Sequence, residues 1–412
     1  MRKAILFVDD EVNVIQSLKR ITREMRSEWN MFFAGSGEKA LQILSQNRTE
    51  IIISDMRMPG MDGAELLQKV RDRFPHMIRI VLSGYFKREN NLRLAKVAHQ
   101  CLAKPCDINT LKSCIERLSM LQQRFSGKEK VVAAVNSIRD LPSLPGLYKL
   151  IVQELESPEI SLKKIGEVIA QDIAMSARIL QIVNSAFFGL PRKVTLPWQA
   201  VTLLGLEIIK GLVLGAQIFT TLEKGLKYKG LSLYKLWKHS VAVGVTAREI
   251  ARSEAIGSKT AEECFVAGIL HDIGKILLLK IPGYPQQLEG FIYEKQCSCS
   301  IAEQELLGTT HAEVGGYLLE LWGIPGNIAG AVAHHHHPGE AEDKRSSILT
   351  CLHVANSLIG REAALDEDAF FHVLDMQYIR ELKLESKLAK WLECCRKIEK
   401  EGMFQSKHLS FQ

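Results

Sequence analysis

Five short β-branched or apolar runs, Ala4–Val8, Met31–Ala34, Ile51–Ser54, Ile78–Leu82 and Cys101–Ala103, alternate with amphipathic stretches over the first 105 residues. Strands separated by helix-length segments pair in parallel, because a parallel neighbour needs a crossover of a dozen or more residues. After the first run, Val12, Ile15, Leu18, Ile21 and Met25 recur at a spacing that predicts one apolar stripe against the sheet. The expectation is an α/β doubly wound, five-stranded parallel sheet with five helices. Beyond it strand signal is scarce, and helical periods recur between Pro142, Pro145, Pro158, Pro191, Pro197, Pro282, Pro285, Pro325 and Pro338. The second part is predicted to be all-α.

A chain of 412 residues has room for two to three folding units at about 150 residues per domain. Ile108, Leu111, Ile115, Leu118, Leu121 and Phe125 predict a long helix over 107–125, followed by the polar stretch Ser126–Lys130. The expected organisation is a first domain over 1–122, a helical linker over 123–135, an all-α domain over 136–360 with its core at about 230–360, and a helical appendage and tail over 361–412. Ala200–Phe219 is the most membrane-like stretch, yet it carries Glu207, Lys210 and Gln217 and is predicted to be one buried helix.

Residues 1–122 hold 20 Lys+Arg against 14 Asp+Glu, whereas 123–412 hold 33 of each. The larger part therefore lacks the clustered cations that nucleic-acid binding requires, which argues against a transcription factor. Nine cysteines, with no Cys-x-x-Cys pair, read as reduced thiols of a cytoplasmic protein. The run before Asp9 is too short for a secretory leader.

Ligands of a parallel sheet gather at the carboxyl ends of its strands. There the sequence puts Asp9 and Asp10 after strand one, Asp55 after strand three, Ser83 after strand four and Lys104 after strand five. One acidic residue at such a place is commonly a helix cap; five polar residues together are a site. Three converging carboxylates need a hard cation, and Mg²⁺ takes oxygen ligands. Asp55 could then attack a phosphoryl group, with Lys104 and the Ser83 hydroxyl on its oxygens. A cis Lys104–Pro105 step is expected to aim the ammonium inward.

This pattern resembles the response-regulator receiver domain, through VDD at Val8–Asp10, SDMRMPGMDG at Ser54–Gly63, LSG at Leu82–Gly84 and KP at Lys104–Pro105. The resemblance implies phosphorylation of Asp55 by a sensor histidine kinase, and adds the main-chain carbonyl of Arg57 to the metal ligands. The family usually has an aromatic residue three places before the lysine, where this chain has Cys101. Activation is then expected to be read through the loop after Ser83, with Tyr85 and Phe86, or through the helix that starts near Asp107.

The second part carries an ordered series: His239, the pair His271–Asp272, His311, the run His334–His337, and His353. Imidazole with carboxylate suits Fe, Mn, Ni or Zn better than Mg. A helix ending in His271–Asp272 could offer two ligands, with His239 from a packed neighbour. A lone histidine is usually a surface or core residue, and a four-His run before Pro338 could be a solvated loop; the series is what carries information.

Its context resembles the HDOD branch of the HD-type phosphohydrolase superfamily, through LPSLPGL at Leu141–Leu147, AQDIAMSARILQIVNSAFFGLP at Ala170–Pro191, AVTLLG at Ala200–Gly205, GILHDIGK at Gly268–Lys275 and HAEVGGYLLELWGIP at His311–Pro325. By resemblance to catalytic relatives, including HD-GYP enzymes, the metal ligands map onto His239, His271, Asp272, His311, His335 and His336. The closing Asp falls at Asn356, and PGEAEDKRS follows His337 in place of a Gly-Tyr-Pro loop. The resemblance implies a bacterial two-component regulator with a non-catalytic output. That output would contact a downstream protein, of which a cyclic di-GMP enzyme is one candidate. Homodimerisation stays open, and a metal-dependent phosphohydrolase acting on a nucleotide or cyclic dinucleotide is the alternative.

Overall fold

The computed structural model describes residues 3–27, 29–74, 77–83, 97–104, 111–116, 118, 151, 154, 161–170, 175–176, 179–180, 183–184, 194–223, 233–281, 283–345, 347–359 and 374–398. The chain divides into two compact units, with a break between Gly146 and Leu147.

The first unit is built on β1 (Lys3–Val8), α1 (Val12–Ile21), β2 (Trp29–Ala34), α2 (Gly37–Gln46), β3 (Ile51–Asp55), α3 (Gly63–Arg73), β4 (Ile78–Ser83) and β5 (Gln100–Ala103). All pairings are parallel, in the order β2-β1-β3-β4-β5. β1 from Ala4 and all of β3 are buried, as strands covered on both faces must be, which explains their unbroken apolar runs. The order reverses between β1 and β3, where doubly wound sheets open a crevice. Val8 pairs with Ser54, so the next residues, Asp9 and Asp55, emerge side by side at that crevice. Asp62, the second Asp of the SDMRMPGMDG motif, caps α3 by accepting the Glu65 N–H at 2.8 Å.

Two local expectations are corrected. Asp55 and Ser83 are the last residues of their strands rather than the first of the loops. The α1 stripe is partial. Val12 is 68% exposed, Leu18 is buried, and Met25 lies in a separate 3₁₀ turn because the helix ends at Ile21, where the Thr22 hydroxyl bonds back to the Leu18 carbonyl. Of the helix expected over 107–125, residues 111–116 and 118 are described and helical; the rest of it, Pro105, Tyr85 and Phe86 lie outside the described residues, as do the linker and the LPSLPGL motif.

The described part of the second unit is entirely helical: α4 (Leu162–Ala170), α5 (Pro197–Leu204), α6 (Leu206–Glu223), α7 (Leu233–Ser253), α8 (Ser258–Leu270), α9 (Ile273–Leu278), α10 (Tyr284–Lys295), α11 (Cys299–Leu307), α12 (His311–Leu321), α13 (Gly326–His334), α14 (Ser347–Ile359), α15 (Met376–Glu381) and α16 (Leu388–Ile398). The single helix expected over Ala200–Phe219 is two, α5 and α6, broken where Gly205 takes φ +83°, a conformation open to glycine. No helix among the described residues is long and apolar enough to cross a membrane. In the expected C-terminal appendage, α16 packs on the end of α7. Lys387, Lys390 and the Trp391 indole bind Glu254 there, and Trp391 is buried.

Two glycine contacts set the helix spacing. A Cβ on Gly268 would lie 2.3 Å from the Gly244 Cα, so α7 and α8 cross backbone on backbone. A Cβ on Gly274 would lie 1.9 Å from the His311 carbonyl oxygen, which seats α9 against the start of α12. Larger residues at either place would push the histidine-bearing elements apart.

Candidate functional site

In the first unit Lys104 draws two carboxylates together. Its Nζ donates to Asp9 Oδ2 at 2.8 Å and contacts Asp55 Oδ1. Burial opposes the ammonium charge, but the hydrogen bonds and charges of Asp55 and Asp9 outweigh it and hold the Lys104 pKa above the ordinary lysine value. The other oxygens are held by main chain. Arg57 N–H donates to Asp55 Oδ2 at 2.6 Å, and Glu11 N–H to Asp9 Oδ1 at 2.9 Å. Asp9 and Asp55 are buried while Asp10 and Arg57 are exposed. Asp10, Met56, Arg57, Met58, Pro59 and Asp62 line an open depression at this rim.

Asp9, Asp10 and Asp55 carry three negative charges against one from Lys104, and all donors are oxygens. This set fits a hard divalent cation such as Mg²⁺. The side chains of Ser83 and Cys101 lie outside the described residues, so their expected roles rest on sequence.

In the second unit five elements deliver the histidine series. His239 comes from α7, His271 closes α8, Asp272 precedes α9, His311 opens α12, and His335 and His336 follow α13. Asp272 is the hub: its Oδ1 lies 3.3 Å from His311 Nε2, and its Oδ2 lies 3.4 Å from His271 Nε2 and 3.8 Å from His239 Nε2. His336 Nε2 is 3.0 Å from His311 Nε2. Asn356 joins the cluster from α14, with Oδ1 at 3.2 Å from His239 Nε2. The four-His run is therefore no solvated loop. His335 is fully buried, His336 faces His311, and His337 alone of the four is exposed.

Hydrogen bonds fix the tautomers. His271 Nδ1 and His335 Nδ1 each donate to a main-chain carbonyl, Gly268 O and Val332 O, at 2.7 Å. Their Nε2 atoms are left as lone-pair acceptors, buried and without a hydrogen-bond partner. That is how a metal-ligating imidazole is held. Burial, reinforced by neighbouring histidines, pushes the pKa of His335 and His336 well below the ordinary range and that of His239 down to about 4. These three rings are neutral and suited to coordinate. Asp272 is depressed despite its burial, through His271 and Lys275. Neutral imidazoles around a carboxylate fit a transition-metal ion.

Three participants escaped the sequence reading. Glu303, on α11, accepts both the His311 main-chain N–H at 2.7 Å and its Nδ1–H at 2.6 Å. Burial alone would lower His311; the Glu303 carboxylate raises it instead. Cys299 donates its thiol to the other Glu303 oxygen at 3.3 Å. Lys275 binds Asp272 Oδ2 at 2.7 Å, an i,i+3 pair visible inside GILHDIGK. His353, by contrast, is no ligand. Its Nδ1 bonds the His335 carbonyl at 2.7 Å and its Nε2 accepts the Asp375 N–H at 3.0 Å.

The chain is 27% identical over 120 residues to Sporulation initiation phosphotransferase F of Bacillus subtilis, covering 28% of this chain and 94% of that protein. An uncharacterised protein of Treponema pallidum is 24% identical over 234 residues, 56% of this chain and 44% of its own. The chain spans less than half the length of this and two other curated relatives. A solved structure of a protein assigned as a phosphohydrolase from Shewanella amazonensis matches with TM-score 0.53 and 23% identity, over 67% of this chain and 96% of that one, a likeness of fold. The chain carries a response regulator receiver domain, matched at residues 5–116, and an HDOD domain, matched at residues 141–338.

Proposed function

We propose that this protein is a phosphorelay regulator in which Asp55 takes a phosphoryl group from a sensor histidine kinase and the HDOD domain answers by changing its contacts with a downstream protein. The observation that carries the reading is the Lys104 ammonium shared by Asp9 and Asp55 at the crevice between β1 and β3. With Oδ2 of Asp55 held by the Arg57 N–H, the Asp55 carboxylate is oriented for attack on phosphorus. Lys104 is placed to stabilise the negative oxygens of the group it accepts. Asp9, Asp10, Asp55 and the carbonyl of Arg57 would hold Mg²⁺. When bound, the ion supplies charge neutralisation for both carboxylates and phosphoryl group. The Ser83 hydroxyl is the expected second donor.

Phosphorylation adds a charge of about −1.5 to −2 at this rim. A bias of a few kcal/mol between two arrangements of the domain suffices to switch a contact. The output partner on this reading is a protein, with a cyclic di-GMP enzyme as one candidate. The working compartment is the cytoplasm. Intact mass spectrometry after incubation with acetyl phosphate and Mg²⁺ tests the first step. One phosphoryl group should be gained by the parent and none by Asp55→Asn; equal gain in both would refute the assignment.

The unpaired Nε2 atoms of His271 and His335 favour a second reading, a metal-dependent phosphohydrolase acting on a nucleotide or cyclic dinucleotide. His239, His271, Asp272, His311, His335 and His336 would hold Fe, Mn, Ni or Zn, which supplies Lewis acidity when bound. Asn356, neutral where the catalytic relatives have a carboxylate, weighs against turnover. Hydrolysis of cyclic di-GMP that disappears in His271→Ala would establish this reading over a binding output.

A further inference from the structure

The histidine centre divides into two unequal halves around Asp272. His311, His335 and His336 form one triad whose ring nitrogens lie within 4.8 Å of one another, joined to Asp272 Oδ1 through His311, while His239, His271 and Asp272 form a second triad. Two nitrogens held at 2.0–2.1 Å by one ion lie roughly 3.0–3.4 Å apart. His336 Nε2 and His311 Nε2 are 3.0 Å apart, and Asp272 Oδ1 is 3.3 Å from His311 Nε2. His311 Nδ1 carries a proton for Glu303, so its Nε2 offers a lone pair toward His336, and either a proton or a metal ion must lie between the two rings. His335 Nε2 and Asp272 Oδ1 have no hydrogen-bond partner. Three imidazoles and one carboxylate oxygen make a full four-donor set with one negative charge.

The Oδ2 side is different. The Lys275 ammonium already occupies Oδ2 at 2.7 Å. The remaining donors are His239, His271 and the neutral amide oxygen of Asn356, which lies against His239. A divalent ion here would have to share the Asp272 Oδ2 with the Lys275 ammonium and would face that like charge in a buried setting, where it is costly.

We propose that the centre binds one transition-metal ion rather than two, through Nε2 of His311, His335 and His336 with Oδ1 of Asp272, while Lys275 and Asn356 shut the second position around His239. The inference rests on the reading that these imidazoles can take a metal. It assigns to Lys275 the task of balancing Asp272 from the side away from the ion.

The test uses the full chain, stripped with a chelator and reloaded with Zn²⁺, and counts bound zinc by elemental analysis after gel filtration. The parent and His239→Gln should each retain one equivalent, and His336→Gln should bind at least ~10-fold more weakly, the loss typical of a disturbed metal set. Circular dichroism checks that each variant folds. Titration of the parent with Co²⁺ needs no variant and should saturate its visible absorption at one equivalent. Two equivalents in the parent, or one that His239→Gln removes and His336→Gln spares, would overturn the assignment of halves while leaving metal binding standing. No bound metal in the parent would refute both.

Discussion

Glu303 accepts two hydrogen bonds from His311, one from its main-chain N–H at 2.7 Å and one from its ring Nδ1 at 2.6 Å. One carboxylate thereby fixes where α12 begins and which ring nitrogen of its first residue faces Asp272. Replacing Glu303 by Gln keeps the size and removes the charge. The expected result is a fold that persists by circular dichroism and a Zn²⁺ affinity reduced roughly 10–100-fold. Competition with a chromophoric chelator measures it, and unchanged affinity would deny Glu303 this role.

Lys104→Ala should leave Asp9 and Asp55 facing each other without a cation. Charge-assisted hydrogen bonds contribute about 1.5–3 kcal/mol, and Lys104 is partly exposed, so a loss of about 1–2 kcal/mol is expected in chelator. Added Mg²⁺ should raise the denaturation midpoint of the variant more than that of the parent. Chemical denaturation with and without Mg²⁺ checks this.

Acid should weaken the second unit before the usual carboxylate range is reached. Burial holds His239 at about 4, below the ordinary histidine value of about 6.5. Between those pH values the unfolded chain binds more protons than the folded one, so stability rises with pH. The contribution from His239 is present above about 6.5 and lost as pH falls toward 4, roughly 3 kcal/mol in all. His335 and His336 are shifted the same way, and His311, which is raised, opposes them. Denaturation at a series of pH values should show the decline, and His239→Gln should flatten it.

Gly274→Ala tests the close seat of α9. The added methyl would fall 1.9 Å from the His311 carbonyl, so backbone must move. Overpacking of this kind costs about 1–3 kcal/mol. A lowered midpoint together with weakened Zn²⁺ binding is expected, whereas Gly257→Ala, with nothing near its Cβ, should leave Zn²⁺ binding as it was.

Much of this was legible in the chain itself. Strand alternation exposed the sheet, and polar residues at strand ends exposed Asp9, Asp55 and Lys104, because both signals are local. The pairing of His239 with His271–Asp272 was readable in the series itself, whereas His311, His335 and His336 as their companions came from the resemblance to catalytic relatives. Glu303 was not legible: it lies eight residues before His311 on a different helix, and only packing of α11 beside α12 gives it meaning. His353 was read as part of the series, but both its nitrogens are spent on main chain, which spacing could not reveal. Gly205 sat inside an apolar run whose hydropathy hid the break.

The contact of Gly244 on Gly268 brings two main chains together with no side chain between them. The distance across that crossing is then set by peptide atoms alone, so exchanges at His239 or Asn356 change the histidine cluster while the spacing of α7 and α8 stays as it is. A scaffold of this kind can change the side chains of its histidine cluster one at a time and keep the same outer surface.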